Sequence, residues 1–391
     1  MLESLALQPP DPLLAVMGLF AADPRPGKID LGVGVYRDEH GQTPVMRAVR
    51  AAEAQMLADQ SSKAYVGAGG NLTFVRLMRD LVFGPGAPDE RIAGLQTPGG
   101  TAALRLACDL LVRAGARTVW VGRPTWANHD PIFAAAGLAA RDYDYFRPAD
   151  QSVDFDRMAT LLSAAQPGEV VLLQAACHNP TGADLSLDQW RTIAQIVAAR
   201  GLIPLIDVAY QGLGDGLDAD VAGARLVLEA ASDALVAVSC SKSFGLYRER
   251  TGALFALTAS AETQAAAQSN LMAIARANYS MPPDHGAAIV QALLGDPALT
   301  ADWRAELDHM RGRIQATRAH LAGFGRVGPV DLAPLASQRG MFSLLPLSAE
   351  AIRALREDHA IYMTGFGRVN LAGLKHEDVE PLLSALAKVP S

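Results

Sequence analysis

The sequence predicts an α/β fold in which a mainly parallel sheet is flanked by helices and a smaller α/β lobe lies beside it. Four continuous apolar segments have the length of strands, and they alternate with segments whose apolar residues keep helical spacing. Successive strands lie about thirty residues apart, which is the length of a strand–helix–strand unit. Because continuous apolar strands are buried on both faces, we expect helices on both sides of the sheet.

Length and composition exclude several classes of protein. The chain has 391 residues, and its net charge of −7 comes without a basic tract, which argues against nucleic acid as a partner. Its 3 cysteines have no metal-like spacing, so we expect no metal site, and the N-terminus lacks a secretory signal. No apolar run is long enough to cross a bilayer. These features predict a cytoplasmic protein without a membrane partner.

Three parts are expected along the chain. Residues 1–43 are rich in Pro, Gly and Asp and predict an N-terminal arm that also forms part of the small domain. Residues 44–309 contain the alternating strands and helices of the large domain, and residues 310–391 predict the small domain. A long charged helix over 301–321 connects the two, and segment 252–259 predicts one more strand, antiparallel or at an edge.

Two glycine-rich segments precede the sheet. A short strand runs into Gly32 and Gly34, and a Gly-x-Gly pair without a third glycine is a weak nucleotide signal, so we interpret it as a tight backbone contact. Close approach of a ligand at Gly34 is the alternative. Tyr65 precedes the second segment, where an aromatic side chain packed at a turn is the alternative to a functional role.

The segment LQTPGGTAALR predicts an anion site at the start of a helix. An extended piece enters the turn formed by Gly99 and Gly100, and Thr101 opens a segment with helical spacing. Amides at a helix N-terminus are free to donate and are aligned with the helix dipole. An ordinary strand-to-helix turn is the alternative. No lysine occupies the P-loop position, which disfavours an ATP or GTP site.

The next strands all lead into polar residues. TVWVGR leads to Trp126 and His129, VVLLQ leads to Asn179, and LIPLI ends at Asp207 and Tyr210. Ligands of parallel sheets bind at the carboxyl ends of strands, so we expect these side chains to converge.

The strand LVAVS delivers a lysine, Lys242, into the turn SCSKSFGLYRER. An amine at the end of a buried strand is partly desolvated, which lowers its pKa and frees the neutral form that attacks carbonyls. The hydroxyls of Ser239 and Ser241 and the guanidinium of Arg250 suit a phosphate. A reactive lysine beside a phosphate site suggests pyridoxal 5′-phosphate. A surface lysine in a polar turn is the alternative.

Ten motifs in order resemble those of class I aminotransferases of the aspartate and aromatic amino-acid branch, which are fold-type I pyridoxal-phosphate enzymes. The motifs are LGVGVYRDE, AYVGAGG, TPGGTAALR, PTWANH, CHNPTG, DVAYQGL, SKSFGLYRER, RANYSMPP, GMFS and GRVNLAG. They run from about residue 30 to residue 373, nearly the whole chain. The resemblance implies a ping-pong transfer of an amino group to 2-oxoglutarate.

The resemblance also implies catalytic roles. Lys242 matches the lysine that holds the cofactor as a Schiff base and then moves a proton as general base and acid. Asp207 matches the carboxylate that pairs with the pyridine nitrogen. Asn179 and Tyr210 match the pair that hydrogen-bonds the phenolic oxygen of the cofactor. His129 resembles a histidine that orients the aspartate, and a buried structural histidine is the alternative.

Cofactor and substrate contacts follow from the same motifs. Trp126 matches an indole that stacks on the ring, Tyr65 a tyrosine that reaches the phosphate from the neighbouring subunit, and Arg368 the arginine that binds the substrate α-carboxylate. Arg276 matches the arginine that binds a second carboxylate, also from the other subunit, so the resemblance implies a homodimer. The implied phosphate cup comprises Gly99, Gly100, Thr101, Ser239, Ser241 and Arg250, and the implied substrate contacts comprise Gly34, Trp126, Asn179, Arg276 and Arg368.

The substrate range depends on two departures from aspartate-restricted relatives. Ala64 and Met281 stand where those relatives often carry asparagines, and apolar side chains there loosen the surroundings of Arg276 and favour an aromatic ring. We therefore expect tyrosine, phenylalanine and aspartate as substrates. The alternatives are a plain aspartate aminotransferase, a β-lyase or decarboxylase of the same fold, and a non-catalytic protein that binds the cofactor.

Overall fold

The computed structural model describes residues 2–7 and 12–390; Met1, residues 8–11 of the predicted arm, and Ser391 lie outside the described residues. Apart from short 3-10 turns, the helices are α1 (Pro12–Ala22), α2 (Arg47–Asp59), α3 (Leu72–Phe83), α4 (Gly99–Arg113), α5 (His129–Ala136), α6 (Phe155–Ser163), α7 (Leu187–Arg200), α8 (Ala219–Ala230), α9 (Ala261–Asn278), α10 (His285–Gly295), α11 (Pro297–Ala322), α12 (Ala349–His359) and α13 (Val379–Leu386). The strands are β1 (Ile29–Asp30), β2 (Ile92–Thr97), β3 (Thr118–Arg123), β4 (Ala139–Asp144), β5 (Phe146–Arg147), β6 (Ser152–Val153), β7 (Val170–Gln174), β8 (Ile203–Val208), β9 (Ala234–Ser239), β10 (Gly252–Leu257), β11 (Arg326–Val327), β12 (Val330–Asp331), β13 (Phe342–Leu344), β14 (Ile361–Tyr362) and β15 (Arg368–Asn370).

The central sheet of the described chain contains seven strands in the order β2-β10-β9-β8-β7-β3-β4. All pairings from β9 to β4 are parallel, whereas β10 runs antiparallel to both of its neighbours. The prediction of a mainly parallel sheet is confirmed. The strand expected over 252–259 is antiparallel, and it lies inside the sheet because β2 pairs with its outer side.

Side chains alternate along the strands and enter two apolar cores, one on each face of the sheet. In β7, Val171 and Leu173 belong to the core that contains Trp190, whereas Val170 and Leu172 belong to the other core. Helices α7 and α8 pack together, as do α4 and α9, so both faces are covered as predicted. The carboxyl edge of the parallel strands is therefore the place where loops can gather polar residues.

A third apolar core joins the two ends of the chain beside the central sheet. β1 pairs with β14 through Ile29 and Ile361, and β13 pairs antiparallel with β15. Ile29 and Leu31 pack in this core with residues of α12 and α13, such as Leu355 and Leu386. The predicted smaller lobe is thus present, built from both ends of the chain. The exact limits of the three expected parts stay a prediction.

The long helix α11 links the large core to the smaller lobe. Trp303 and Leu307 belong to the core of the central sheet that contains Trp190, and Leu321 belongs to the third core. The helix starts at 297 rather than at the expected 301 because the carboxylate of Asp296 accepts from two amides of its first turn. Although α11 is long, no helix among the described residues is both long and apolar enough to cross a membrane.

Candidate active site

A cavity of about 240 Å³ opens at the carboxyl ends of β2, β7, β8 and β9. Its lining brings together most of the residues that the sequence singles out: Gly34, Gly100, Thr101, Trp126, Asn179, Asp207, Tyr210, Ser239, Ser241, Lys242 and Arg250. The convergence expected from the strand ends is therefore observed. Three further predicted residues, Gly99, His129 and Arg368, contact members of this lining directly.

Lys242 lies in the turn that follows β9, and its side chain is half-buried. Its Nζ lies 4.8 Å from the centroid of the Tyr210 ring. Burial is the main reason that the pKa of Lys242 is lowered to about 8; the carboxylate of Asp207 opposes this shift, and the cations of Arg250 and Arg368 add to it. Far more of the amine is therefore neutral near physiological pH than in an ordinary lysine, which suits a nucleophile and a base.

Asp207 lies near the end of β8 and is held by a histidine. His129 Nε2 lies 3.3 Å from Asp207 Oδ2, and on the other side of the ring Thr125 Oγ1 lies 2.7 Å from His129 Nδ1. His129 is fully buried, with its ring stacked on Phe133 and its edge against Trp126. This packing fixes the imidazole, which in turn fixes the direction of the carboxylate towards the cavity.

Arg368 lies on β15 of the smaller lobe and reaches the large-domain loop that carries Asn179. Arg368 Nη1 donates to Asn179 Oδ1 (3.4 Å) and Nη2 donates to Gly32 O (2.8 Å). Its guanidinium carbon lies 4.5 Å from the centroid of the Phe342 ring. Asn179 Nδ2 donates to the hydroxyl of Tyr210 (3.3 Å), and burial raises the pKa of Tyr210 well above its usual range, so the phenol stays protonated.

The start of α4 forms a cup with a guanidinium opposite it. Gly99 has a φ of +80°, and a Cβ there would lie 2.6 Å from Arg250 Nη2; a Cβ on Gly100 would lie 3.0 Å from Ser239 Cβ. Arg250 itself has a φ of 51°, a left-handed conformation that only a few non-glycine residues adopt. The free amides, the hydroxyls of Thr101, Ser239 and Ser241, and the guanidinium are donors from which a phosphate can accept hydrogen bonds. With the amine of Lys242 and the carboxylate of Asp207, this donor set fits pyridoxal phosphate.

Two predicted residues do not line the cavity of this single chain. Tyr65 is 92% exposed, and Arg276, near the end of α9, is exposed and donates to Ser280 Oγ. Of the two departures tied to substrate range, Ala64 is exposed and Met281 is half-buried.

Sequence reasoning missed several residues of the site. Gln174 and Tyr247 line the cavity, and the ring of Phe342 packs against the guanidinium of Arg368. Gln174 donates to Asn179 O (3.0 Å) and accepts from Asn179 N (2.8 Å), so it fixes the backbone of that loop. A polar residue ending the apolar strand VVLLQ was a usable signal for Gln174. Nothing comparable marked Phe342, whose role depends on a partner in another strand.

Comparisons with known proteins agree with this geometry. The family described as aminotransferase class I and II matches residues 26–386. A tyrosine aminotransferase of Rhizobium meliloti (strain 1021) is 55% identical over 96% of each chain, and an aspartate aminotransferase of Escherichia coli (strain K12) is 43% identical over 100% of each. The crystal structure of an aromatic-amino-acid aminotransferase from Burkholderia pseudomallei, covalently bound to pyridoxal phosphate, superposes with a TM-score of 0.93 at 38% identity, over 99% of this chain and 98% of that one.

Proposed function

This chain belongs to the class I and II aminotransferase family, and from that premise we propose that it moves an amino group between tyrosine, phenylalanine or aspartate and 2-oxoglutarate. The observation that carries the proposal is the cavity in which a lysine amine, a carboxylate and an anion cup converge. The two substrates bind in turn, because the amino donor must leave as an oxo acid before the acceptor enters. When bound, pyridoxal phosphate supplies a ring that withdraws electrons from the substrate Cα.

In this proposal the residues of the large domain hold the cofactor and move the proton. Lys242 would hold the cofactor through its amine, and the same amine, when free, would take the proton from the substrate Cα. Asp207, oriented by His129, keeps the pyridine nitrogen protonated. Tyr210 and Asn179 hydrogen-bond the phenolic oxygen. Trp126 stacks on the ring, and the cup around Gly99, Gly100, Thr101, Ser239, Ser241 and Arg250 binds the phosphate.

The substrate is oriented from the smaller lobe. Arg368 binds the α-carboxylate in bidentate fashion, which suits a planar guanidinium beside Asn179. Gly34 lines the cavity and leaves its backbone open to the substrate, and a side chain there would meet the Phe342 ring, with the Cβ 3.0 Å from its Cζ. A clamp of this kind fixes the substrate so that its Cα proton faces the Lys242 amine.

We also propose a homodimer in which Tyr65 and Arg276 act on the neighbouring site. Their exposure and their absence from the cavity lining of one described chain support this arrangement. A cytoplasmic location is part of the same proposal, supported by the free, buried state of Cys108, Cys177 and Cys240.

The substrate range follows from the surroundings of Arg276. Its guanidinium pairs with the second carboxylate of aspartate, whereas Ala64 and Met281 offer no amide to hold it in place. An arginine on a flexible stem can then turn aside for an aromatic ring. The names of the tyrosine, aromatic and aspartate aminotransferases among the relatives support this dual range.

Steady-state kinetics with 2-oxoglutarate as acceptor tests the proposal. We expect transfer from tyrosine, phenylalanine and aspartate, and we expect Arg276→Ala to lose most aspartate turnover while keeping that of phenylalanine. A kcat/KM for phenylalanine roughly a thousandfold or more below that for aspartate would leave a plain aspartate aminotransferase. Cofactor binding without any transfer would contradict the proposed activity itself.

A further inference from the structure

Arg318 is a buried cation on α11 whose hydrogen bonds go to neutral oxygens. The residue is 2% exposed. Its Nε donates to Gly340 O (3.0 Å) and its Nη1 to Ser343 Oγ (2.7 Å). Its Nη2 donates to the carbonyls of Arg339 (3.1 Å), Gly340 (2.7 Å) and Phe342 (2.5 Å). Burying a guanidinium is costly, and these hydrogen bonds offset the cost only while the segment that accepts them keeps its position.

That segment, residues 339–343, supports the carboxylate-binding arginine. It leads into β13, and Leu344 of this strand pairs with Arg368 of β15. The Phe342 ring lies under the guanidinium of Arg368 at 4.5 Å, and the same ring lies against the backbone of Gly34. A displacement of the segment would therefore move Arg368 and its support together.

The opposite side of the segment packs against loop 177–182, which carries Asn179. Arg339 N donates to Gly182 O (2.8 Å). Gly182 has a φ of +69°, and a Cβ there would lie 3.0 Å from Arg318 Nη2. The guanidinium of Arg318 therefore lies close to the backbone of Gly182. This places Arg318 where α11, the smaller lobe and the Asn179 loop meet.

We propose that Arg318 is a positioning residue for Arg368, acting through segment 339–343 and the loop of Asn179. The inference rests on the proposed function, in which Arg368 binds the α-carboxylate. Its five hydrogen bonds all go to segment 339–343, so they hold the Phe342 ring in place before substrate arrives. The bond from Arg339 N to Gly182 O then ties the loop of Asn179 to the same segment. Burial lowers the pKa of Arg318 to about 10, which leaves the guanidinium protonated and all its donors available near neutral pH.

Two variants and a control test this role. Arg318→Lys keeps the charge but cannot span all the acceptors. Ser343→Ala removes one acceptor of Arg318, together with the bond that the hydroxyl donates to Gln338 Oε1, with little loss of volume. Arg200→Lys is the control, because Arg200 also donates twice to one backbone carbonyl, that of Ala165, and does not line the cavity. The readouts are KM and kcat for aspartate, the Kd of succinate from the change in cofactor absorbance, and the melting temperature.

We expect Arg318→Lys to raise the KM for aspartate and the Kd of succinate about tenfold while kcat changes much less, because carboxylate binding is lost equally in ground and transition states. Ser343→Ala should shift both constants in the same direction by a smaller factor, and Arg200→Lys should shift neither. A lowered melting temperature with unchanged KM and Kd in Arg318→Lys would show a purely structural role and overturn the inference.

If Arg318→Lys does not fold, Ser343→Ala decides alone, and an unchanged succinate Kd in that variant overturns the inference. Failure of the proposed function looks different, since the wild-type protein would then bind cofactor and transfer no amino group. Succinate binding by the same inactive protein, compared between the wild type and the two variants, would still decide the role of Arg318.

Discussion

At the scale of single residues, Lys242 combines a lowered pKa with a position between an acid and two cations. An amine whose charged form is disfavoured loses its proton at lower pH, so its neutral fraction rises as the pH passes about 8. We predict that the rate at which the cofactor-free protein takes up pyridoxal phosphate rises with pH and reaches half its plateau near pH 8. Stopped-flow absorbance measures this rate.

Borohydride reduction followed by peptide mapping identifies the lysine involved, and Lys242→Ala serves as the control that should not be labelled. A label on Lys28, Lys63, Lys375 or Lys388 would contradict the assignment. So would an uptake rate that keeps rising, without a plateau, up to the pH at which an ordinary lysine loses its proton.

Asp207 gives a second prediction at this scale. Asp207→Asn is nearly isosteric and can keep a contact with His129, so the fold should survive while the charge is lost. We expect kcat/KM to fall by at least about a hundredfold, or roughly 3 kcal/mol of transition-state stabilisation. Asp188→Asn, at the exposed start of α7, is the control. Near-normal activity of Asp207→Asn would show that another group pairs with the pyridine nitrogen.

Residues with a strand-end signal could be predicted from sequence, and residues defined by a distant partner could not. Lys242 and Asn179 lie just after strands with an unambiguous apolar pattern, and Asp207 lies near the end of such a strand. The structure brings the three residues to one cavity. Phe342 and Arg318 carry no such signal. From sequence alone, an aromatic residue or an arginine that packs in an α/β segment cannot be told from one that supports a site. Their positions matter only once β13 and β15 have paired.

At the scale of elements, the start of α4 makes a prediction about the cup. Gly99→Ala would place a Cβ 2.6 Å from Arg250 Nη2 in a left-handed backbone conformation. Arg250 is exposed and can move aside, so the fold should lose only about 1–2 kcal/mol, whereas the cup loses its guanidinium. We expect the Kd for pyridoxal phosphate to rise at least about tenfold, equivalent to 1.4 kcal/mol, as measured by fluorescence titration.

Gly115→Ala is a matched control for this variant. Gly115 also has a positive φ, +101°, but a Cβ there would meet nothing within 4 Å. It should lose similar stability and keep its cofactor affinity. Equal affinity losses in the two variants would mean that strain, not the cup, determines binding.

Most elements were predictable from pattern, and the differences have local causes. The strands around the site are continuous apolar runs, which is why their predicted limits agree with the structure within a residue or two. The sequence predicts the start of α11 at 301 instead of 297 because the cap at Asp296 precedes the charged stretch that indicates the helix. The place of β10 inside the sheet depends on β2, more than 150 residues earlier, and periodicity within one segment carries no information on such a partner.

At the scale of the whole molecule, the shared-site dimer makes a prediction about subunit mixing. Arg276→Ala and Lys242→Ala proteins should each be inactive with aspartate. A hybrid dimer combines an intact Lys242 with the other subunit's intact Arg276 in one of its two sites. After complete exchange we expect activity from up to about a quarter of all sites, since half the dimers are hybrids. Aspartate turnover after mixing is the measurement.

Mixing two samples of Lys242→Ala provides the background, and labelled subunits establish that exchange has occurred. Exchange without recovered aspartate turnover would contradict the shared site. The structure supports this prediction because Tyr65 and Arg276 are both exposed. In the sequence, only the resemblance to the family indicates a shared site.

The reversed strand β10 has a consequence for how the molecule becomes competent to bind. Its first residue, Gly252, pairs with Thr97, the last residue of β2, on one side and with Ser239, the last residue of β9, on the other. β10 therefore begins at the edge of the sheet where β2 and β9 end. The cup therefore unites two distant stretches of chain, and it cannot exist until that long-range pairing has closed, which is slow for contacts of high sequence separation. Cofactor capture during refolding should thus report the completion of the sheet, and excess cofactor should trap chains that have reached it.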